Sequence, residues 1–220
     1  MNSKAIDQEW EEHWNELDTS FFGKLLKIFR IHVLAHDVRR YHEKYFPRQG
    51  IFLEAGSGTS QTSVRLKKHQ RTYVAIDVSE RALHEARKIR TMDEFVKADI
   101  RKLPYRTSSV SGIWNLGVME HFSHDEIIKM LKEFRRVLKP GAVAIMFWPY
   151  RYAPYQLLLK TISAAGRVFG KNIQFFPNEP SQLNSRKEAV MLARNAGFSG
   201  TKVHYTPMDL YCYMVVVCRK

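Results

Sequence analysis

A chain of 220 residues is long enough for one α/β domain with a full core and a modest accessory element, and 45% hydrophobic with 26% charged residues excludes a disordered or fibrous protein. The formal charge of +13 admits anionic partners (RNA, an anionic membrane face or an acidic metabolite), but beyond doublets such as Arg39-Arg40, Lys67-Lys68 and Arg135-Arg136 the cations are scattered, as on an ordinary solvated surface. The acids Asp7, Glu9, Glu11, Glu12, Glu16 and Asp18 argue against a secretory signal, and no apolar run is long enough to span a bilayer.

Residues 1–20 read as a helix or arm carrying Trp10 and Trp14 one turn apart. Over 21–46, Phe22, Leu25, Leu26, Phe29 and Val33 form an apolar stripe opposite Lys24, Lys27 and Arg30. That stripe docks either on the domain's own core or on anionic lipid. From residue 50 the pattern alternates. Apolar runs at 51–54, 72–76, 94–96, 110–115 and 142–148 predict strands, and the periodicity at 59–68, 79–90 and 123–137 predicts helices between them. Pro140-Gly141 is expected to end the third of these helices before the fifth strand.

Residues 151–180, aromatic and apolar, are extra material before a helix at 185–196. The runs 201–205 and 210–218 are joined by a linker too short for a parallel crossover, so they predict an antiparallel hairpin. Cys212 and Cys218 lie on the second of these runs. Six extended residues separate them by roughly 20 Å against the about 7 Å that a disulfide permits, so a reducing cytoplasm is the expected setting. The expected fold is α/β: a Rossmann-like seven-stranded sheet, mostly parallel with a C-terminal antiparallel hairpin and helices on both faces. Residues 1–48 form an N-terminal helical cap, and 49–220 form the main domain with an insert at 151–184.

The sharpest local signal is IFLEAGSGTSQTS, residues 51–63. A dinucleotide fingerprint placed on Gly56 and Gly58 fails at Gln61, where a third glycine belongs. Glu54, two residues before Gly56, would repel a pyrophosphate and hold an ammonium, so its sign favours a cationic ligand end. Asp77 ends the second strand 21 residues after Gly56, the distance at which a carboxylate meets ribose hydroxyls. Asp99 follows the third strand, where it can accept adenine amino hydrogens while Ile100 packs on the ring. Singly, Asp77 also reads as a helix cap and Asp99 as a strand end. Three acids at successive strand tips coincide with the edge at which open α/β sheets bind ligands.

This series resembles the class I S-adenosylmethionine-dependent methyltransferases, particularly the type 11 branch of ubiquinone- and menaquinone-type C-methyltransferases. LEAGSGTS is similar to their first motif, VAIDVS to the ribose strand and KADIRKLPY to the adenine strand. IWNLGVMEHF is similar to the fourth strand and its Glu-His turn, and LKEFRRVLKPGAVAIMFWP to the helix and fifth strand. The resemblance covers residues 49–149. It implies S-adenosyl-L-methionine as cofactor, with Glu54, Gly56, Ser57 and Gly58 around the methionine end, Asp77 and Val78 at the ribose and adenine, Asp99 and Ile100 at the adenine, and Asn115 and Leu116 lining the cleft. Two positions depart from the family: Ser60 replaces a frequent glycine, and Ser111-Gly112 stands where Phe-Asp is common.

In-line methyl transfer needs alignment more than covalent help, with a base only where the acceptor loses a proton. His121 is the candidate base; the alternative is that Glu120-His121 caps the following helix, or that Glu120 fixes the imidazole. Trp148, Tyr150 and Tyr152 either floor the acceptor pocket or belong to core and rim. His13, His32 and His36 lack acids at ligand spacing, so no metal site is expected. The acceptor expected is a small or lipophilic metabolite, with peripheral membrane contact as a further option and no stable protein partner. The alternatives are an RNA methyltransferase, which the charge favours but the NLGV after the fourth strand does not, and a non-catalytic cofactor-binding scaffold.

Overall fold

The computed structural model describes residues 28–154 and 181–220. The Trp10–Trp14 pair, His13, the first part of the amphipathic stripe and residues 155–180 of the insert lie outside them. Seven strands form one sheet: β1 (Gln49–Ala55), β2 (Gln70–Asp77), β3 (Glu94–Lys97), β4 (Val110–Leu116), β5 (Leu138–Pro149), β6 (Gly200–Tyr205) and β7 (Tyr213–Arg219). Their order is β3-β2-β1-β4-β5-β7-β6. The first five are parallel, and β7 pairs antiparallel with both β5 and β6. The chain therefore reverses its direction of winding between β1 and β4, and the crevice at their carboxyl ends is where such sheets take ligands.

Side-chain alternation sorts the core into two layers. Leu53, Val74, Ile76, Ile113, Met146 and Val216 face one side, where they meet Ile127, Met130, Leu131 and Phe134 of α3 (His124–Val137) and Leu192 of α4 (Arg186–Asn195). Phe52, Tyr73, Trp114, Ile145, Phe147 and Val215 face the other, where they meet Val38 and Tyr41 of α1 (Ala35–Tyr45) and Leu83 of α2 (Glu80–Ala86). The central strands are buried on both faces and so read as nearly continuous apolar runs. Phe134 is fully buried, which stabilises the α3 contact by roughly 1.5–3 kcal/mol.

Helix α1 is tied to the sheet through a buried cation. Arg71 of β2 donates from Nε to the Pro47 carbonyl (2.8 Å) and from Nη2 to the Phe46 carbonyl (3.0 Å), and its Nη1 pairs with Glu43. Residues 30–34, just before α1, form a π-helical stretch. Ser111-Gly112, the departure before β4, has a packing reason: a Cβ on Gly112 would stand 2.6 Å from the Phe46 ring and 2.8 Å from the Phe52 ring.

Several expected boundaries are corrected. Residues 59–68 hold no α-helix; only a 3-10 turn at Gln61–Ser63 forms, preceded by Ser60 at φ 52, a left-handed residue that a right-handed helix cannot propagate through. The helix at 79–90 is confined to Glu80–Ala86. Pro140-Gly141 does not end α3, which stops at Val137; it lies inside β5, where the pairing with β4 skips from Leu138 to Val143, so proline's missing N–H leaves no ladder bond unmade. Cys212 precedes β7 rather than lying on it, and both cysteines are free and buried. Among the described residues no helix is long and apolar enough to cross a membrane.

Candidate cofactor site

The carboxyl end of β1 turns sharply at Gly56 (φ +70), and a Cβ there would meet Val118 Cγ2 at 2.7 Å. The N–H groups of Gly56 and Ser57 both donate to the Ile76 carbonyl, at 2.8 and 2.9 Å, and Gly58 N–H donates to Asp77 Oδ2 at 2.7 Å. The glycine loop is thus stitched to the end of β2. Asp77 also accepts from Ser79 N–H through Oδ1 (2.9 Å), while Ser79, not Asp77, caps α2 by accepting from Ala82 N–H at 3.1 Å. The cap reading of Asp77 is thereby replaced: its carboxylate shapes the loop. Val78 beside it is half-buried.

Glu54 pairs in register with Trp114 across β1 and β4, on the α1 side of the sheet, and is 3% exposed. Ser63 Oγ donates to its Oε1 at 2.9 Å, whereas Oε2 has no hydrogen-bond partner. Burial pushes the Glu54 carboxyl up to about 7, opposed by the polar groups of Ser60, Ser63 and Trp114. Ser60 Oγ and Trp114 Nε1 act on this carboxyl without forming a well-oriented hydrogen bond, Gln61 Oε1 lacks a partner, and both amide atoms of Asn115 at the end of β4 lack partners on the opposite, α3 face of the sheet. Leu116 is half-buried beside it, and Gly117 turns the chain at φ +69.

Orphaned buried polar atoms are costly, so Glu54 Oε2 and the polar side chains of the adjoining loop, Ser60 and Gln61, mark where a polar ligand completes the bonding. The hydroxyl-rich stretch after Gly58 is the sequence signal for Ser60, Gln61 and Ser63, which the motif comparison does not single out.

Asp99 is committed elsewhere. It forms a forked ion pair with Arg101, with Nη2 to Oδ2 at 2.8 Å, and also accepts from Arg101 N–H at 2.8 Å. Burial opposes its ionisation, but the hydrogen bonds and charge of Arg101 prevail and hold its carboxyl below the usual value. A carboxylate has about four acceptor positions, so this pairing leaves room for one more donor. Ile100 is buried in the core layer under α3 and is 6% exposed.

His121 ends a 3-10 turn at Met119–His121, with its Nε2 3.8 Å from Glu120 Oε1, a charge contact longer than a hydrogen bond. The Glu120-His121 capping alternative fails, because Ser123 and Glu126 form a complete capping box on α3. Trp148 resolves to core: it is 1% exposed and its indole N–H donates to the Ser181 carbonyl at 2.7 Å. Tyr150 and Tyr152 stand edge to face at the rim, ring centroids 5.7 Å apart. His32 and His36 are exposed, and no group of three potential metal ligands occurs among the described residues.

Residues 53–146 match a methyltransferase domain family. The chain carries a class I S-adenosylmethionine-dependent methyltransferase domain. It is 27% identical over 185 residues to a demethylmenaquinone methyltransferase of Chlorobaculum tepidum, covering 79% of this chain and 74% of that one. Over 121 residues it is 33% identical to a malonyl-(acyl-carrier protein) O-methyltransferase of Erwinia pyrifoliae, covering 54% of this chain and 43% of the relative. The chain thus spans less than half the length of that relative. A Thermotoga maritima structure described as an S-adenosylmethionine-dependent methyltransferase, possibly a histamine N-methyltransferase, shares the fold: TM-score 0.61, 22% identity, 91% of this chain and 96% of that one.

The cofactor of a methyltransferase domain of this class is S-adenosyl-L-methionine, and the crevice fits its aminoacyl end. A buried carboxylate with a free oxygen, hydroxyls and an unpaired carboxamide match an ammonium and a carboxylate better than they match a diphosphate.

Proposed function

We propose that this chain transfers a methyl group from S-adenosyl-L-methionine to a small or lipophilic metabolite by in-line displacement. The observation that carries the reading is buried Glu54 at the switch point of the sheet, whose Oε2 has no partner, next to the loop that carries the buried polar side chains of Ser60 and Gln61. In this reading Glu54, Gly56, Ser57 and Gly58 hold the aminoacyl end. Asp77 and Val78 meet the ribose and the adjoining ring face, Asp99 and Ile100 border the adenine, and Asn115 with Leu116 lines the cleft. The bound cofactor supplies a methyl group on a sulfonium leaving group, so the protein's task is alignment and exclusion of water. His121 takes a proton from acceptors that must lose one, with Glu120 setting the ring's orientation.

Support for a metabolite acceptor comes from the relatives, whose names give demethylmenaquinone and malonyl-(acyl-carrier protein) as their substrates. Residues 1–48 and the insert at 151–184 serve, in this proposal, as the cover of the cleft. The bond from Arg65 Nε to the Ile31 carbonyl, 3.1 Å, supports this placement of the segment that precedes α1.

Incubation with methyl-labelled cofactor and either an organic-soluble cell extract or total RNA tests the reading. Label is expected in the organic fraction. Label confined to RNA, or in neither fraction while the cofactor still binds, overturns it in favour of an RNA enzyme or a scaffold respectively.

A further inference from the structure

The turn between β6 and β7 lies at the same end of the sheet as the cofactor crevice, because Tyr213 at the start of β7 pairs with Pro149 at the carboxyl end of β5. It is firmly built. Buried Asp209 accepts from Cys212 N–H at 3.1 Å, Leu210 N–H bonds the Pro207 carbonyl at 3.1 Å and Tyr211 N–H bonds the Thr206 carbonyl at 3.0 Å. Yet this rigid knob presents Met208, Leu210 and Tyr211 outward, 54%, 65% and 45% exposed. Leu210 and Tyr211 both hold left-handed backbone, φ 57 and 59, a conformation that costs a non-glycine residue roughly 1–2 kcal/mol. The turn's hydrogen bonds hold the backbone, but the exposure of Met208 and Leu210 leaves their apolar tips without burial among the described residues.

An aromatic row continues from the knob across the rim. Ring centroids run from Tyr211 to Tyr205 (6.3 Å), Tyr205 to Tyr150 (5.6 Å) and Tyr150 to Tyr152 (5.7 Å), and Tyr152 is 54% exposed. The Arg186 guanidinium lies 4.6 Å over the Tyr205 ring. Cations gather around the edge strand that carries this row. Arg40 and Lys44 on α1, Lys202 on the edge strand β6, and Arg186 are all exposed, and all act on His204, whose affinity for a proton is lowered by burial first and then by these charges. Asp209 within the turn and Asp37, whose charge acts on it, are buried and add no surface charge of opposite sign.

We propose that the Met208–Tyr211 knob, the tyrosine row and the surrounding cations form a docking surface for an anionic lipid bilayer. Aliphatic tips enter the acyl boundary, tyrosines sit at headgroup depth and the cations pair with lipid phosphates and carboxylates. Charge complementarity alone would suit RNA equally well. The most exposed tip residues favour the bilayer, since Met208 and Leu210 offer a base nothing to stack on and the Tyr205 face is occupied by Arg186, while the exposed Tyr211 and Tyr152 suit headgroup depth. Docked in this way, the chain brings the mouth of its cofactor crevice to the membrane, where a lipophilic acceptor resides. This last consequence rests on the proposed function; the docking itself is read without turnover, so either can fail alone.

Sedimentation of the full chain with phosphatidylcholine vesicles, with and without phosphatidylserine, tests the proposal, with circular dichroism confirming that each variant is folded. The unaltered chain is expected to sediment only with the phosphatidylserine vesicles. Met208→Ser combined with Leu210→Asn, the asparagine accepting left-handed backbone, should lower partitioning about tenfold. Lys202→Ala should lower it about fivefold. Absence of vesicle binding overturns the proposal, as does binding that folded variants leave unchanged. Tighter binding to a polyuridylate oligonucleotide, weakened by the same substitutions, would overturn it in favour of RNA.

Discussion

Glu54 concentrates the electrostatics of the crevice in one carboxyl group. Burial raises it from its ordinary 4.5 to about 7, so near neutrality it is divided between neutral and charged forms. An ammonium placed at its free oxygen stabilises the charged form, and binding must therefore expel the proton when the pH is below that value. Affinity for S-adenosylhomocysteine should weaken as pH falls below 7, by up to about tenfold per unit. Glu54→Gln should bind more weakly and lose this dependence; a titration calorimeter run at several pH values checks both. His121 gives a complementary prediction. His121→Ala should leave S-adenosylhomocysteine affinity unchanged and reduce turnover about a hundredfold on an acceptor that loses a proton. The turn that holds Glu54, the glycines and Asp77 was legible in the sequence because its hydrogen bonds lie within a few residues of strand ends. The commitment of Asp99 to Arg101 was not, because two residues of opposite charge at i and i+2 meet only when the loop between them folds back.

At the scale of elements, the middle of every strand was readable, because the central ones are buried on both faces and write continuous apolar runs, but β5 begins four residues before the expected 142 and β7 three after the expected 210. The helix after the glycine turn was not, and the cause is local: Ser60 is left-handed and the loop's N–H groups bond to Ile76 and Asp77. Helix α3 owes its sharp start to Ser123 and Glu126. Ser123→Ala should cost about 1 kcal/mol in urea unfolding without altering cofactor affinity.

The join between α1 and the β6–β7 turn predicts a pH effect. Asp37 and Asp209 are both buried, and Asp209 is raised from 3.8 to about 7, by burial first, with a contribution from Asp37 that outweighs neither Thr206 nor burial. A carboxyl raised on folding contributes stability that is complete below 3.8 and is lost as pH rises through its folded value. Unfolding free energy should therefore decline between these limits, and Asp209→Asn should remove roughly 1–4 kcal/mol of that decline. A thermal melt series across the range measures it.

For the whole molecule, a cofactor held as proposed would bridge loops from separate strands, so binding should stabilise the entire fold. At a hundredfold excess over Kd, S-adenosylhomocysteine should add about 2.7 kcal/mol, raising Tm by about 5–10 °C, whereas NAD should not shift it. The sequence by itself determined the strand order's raw material, the glycine turn, the acids at the strand tips and hence the class of cofactor, because these follow from periodicity and from residues that act on near neighbours. Only the tertiary structure decided that Gly112 makes room for the Phe46 and Phe52 rings, that Trp148 is core, and that the charge of Asp37 acts on Asp209. It also set a knob of exposed Met208, Leu210 and Tyr211 beside four cations drawn from α1, α4 and β6. Such neighbours are far apart along the chain, and what brings them together is the packing of two core layers against one sheet, which no local pattern records.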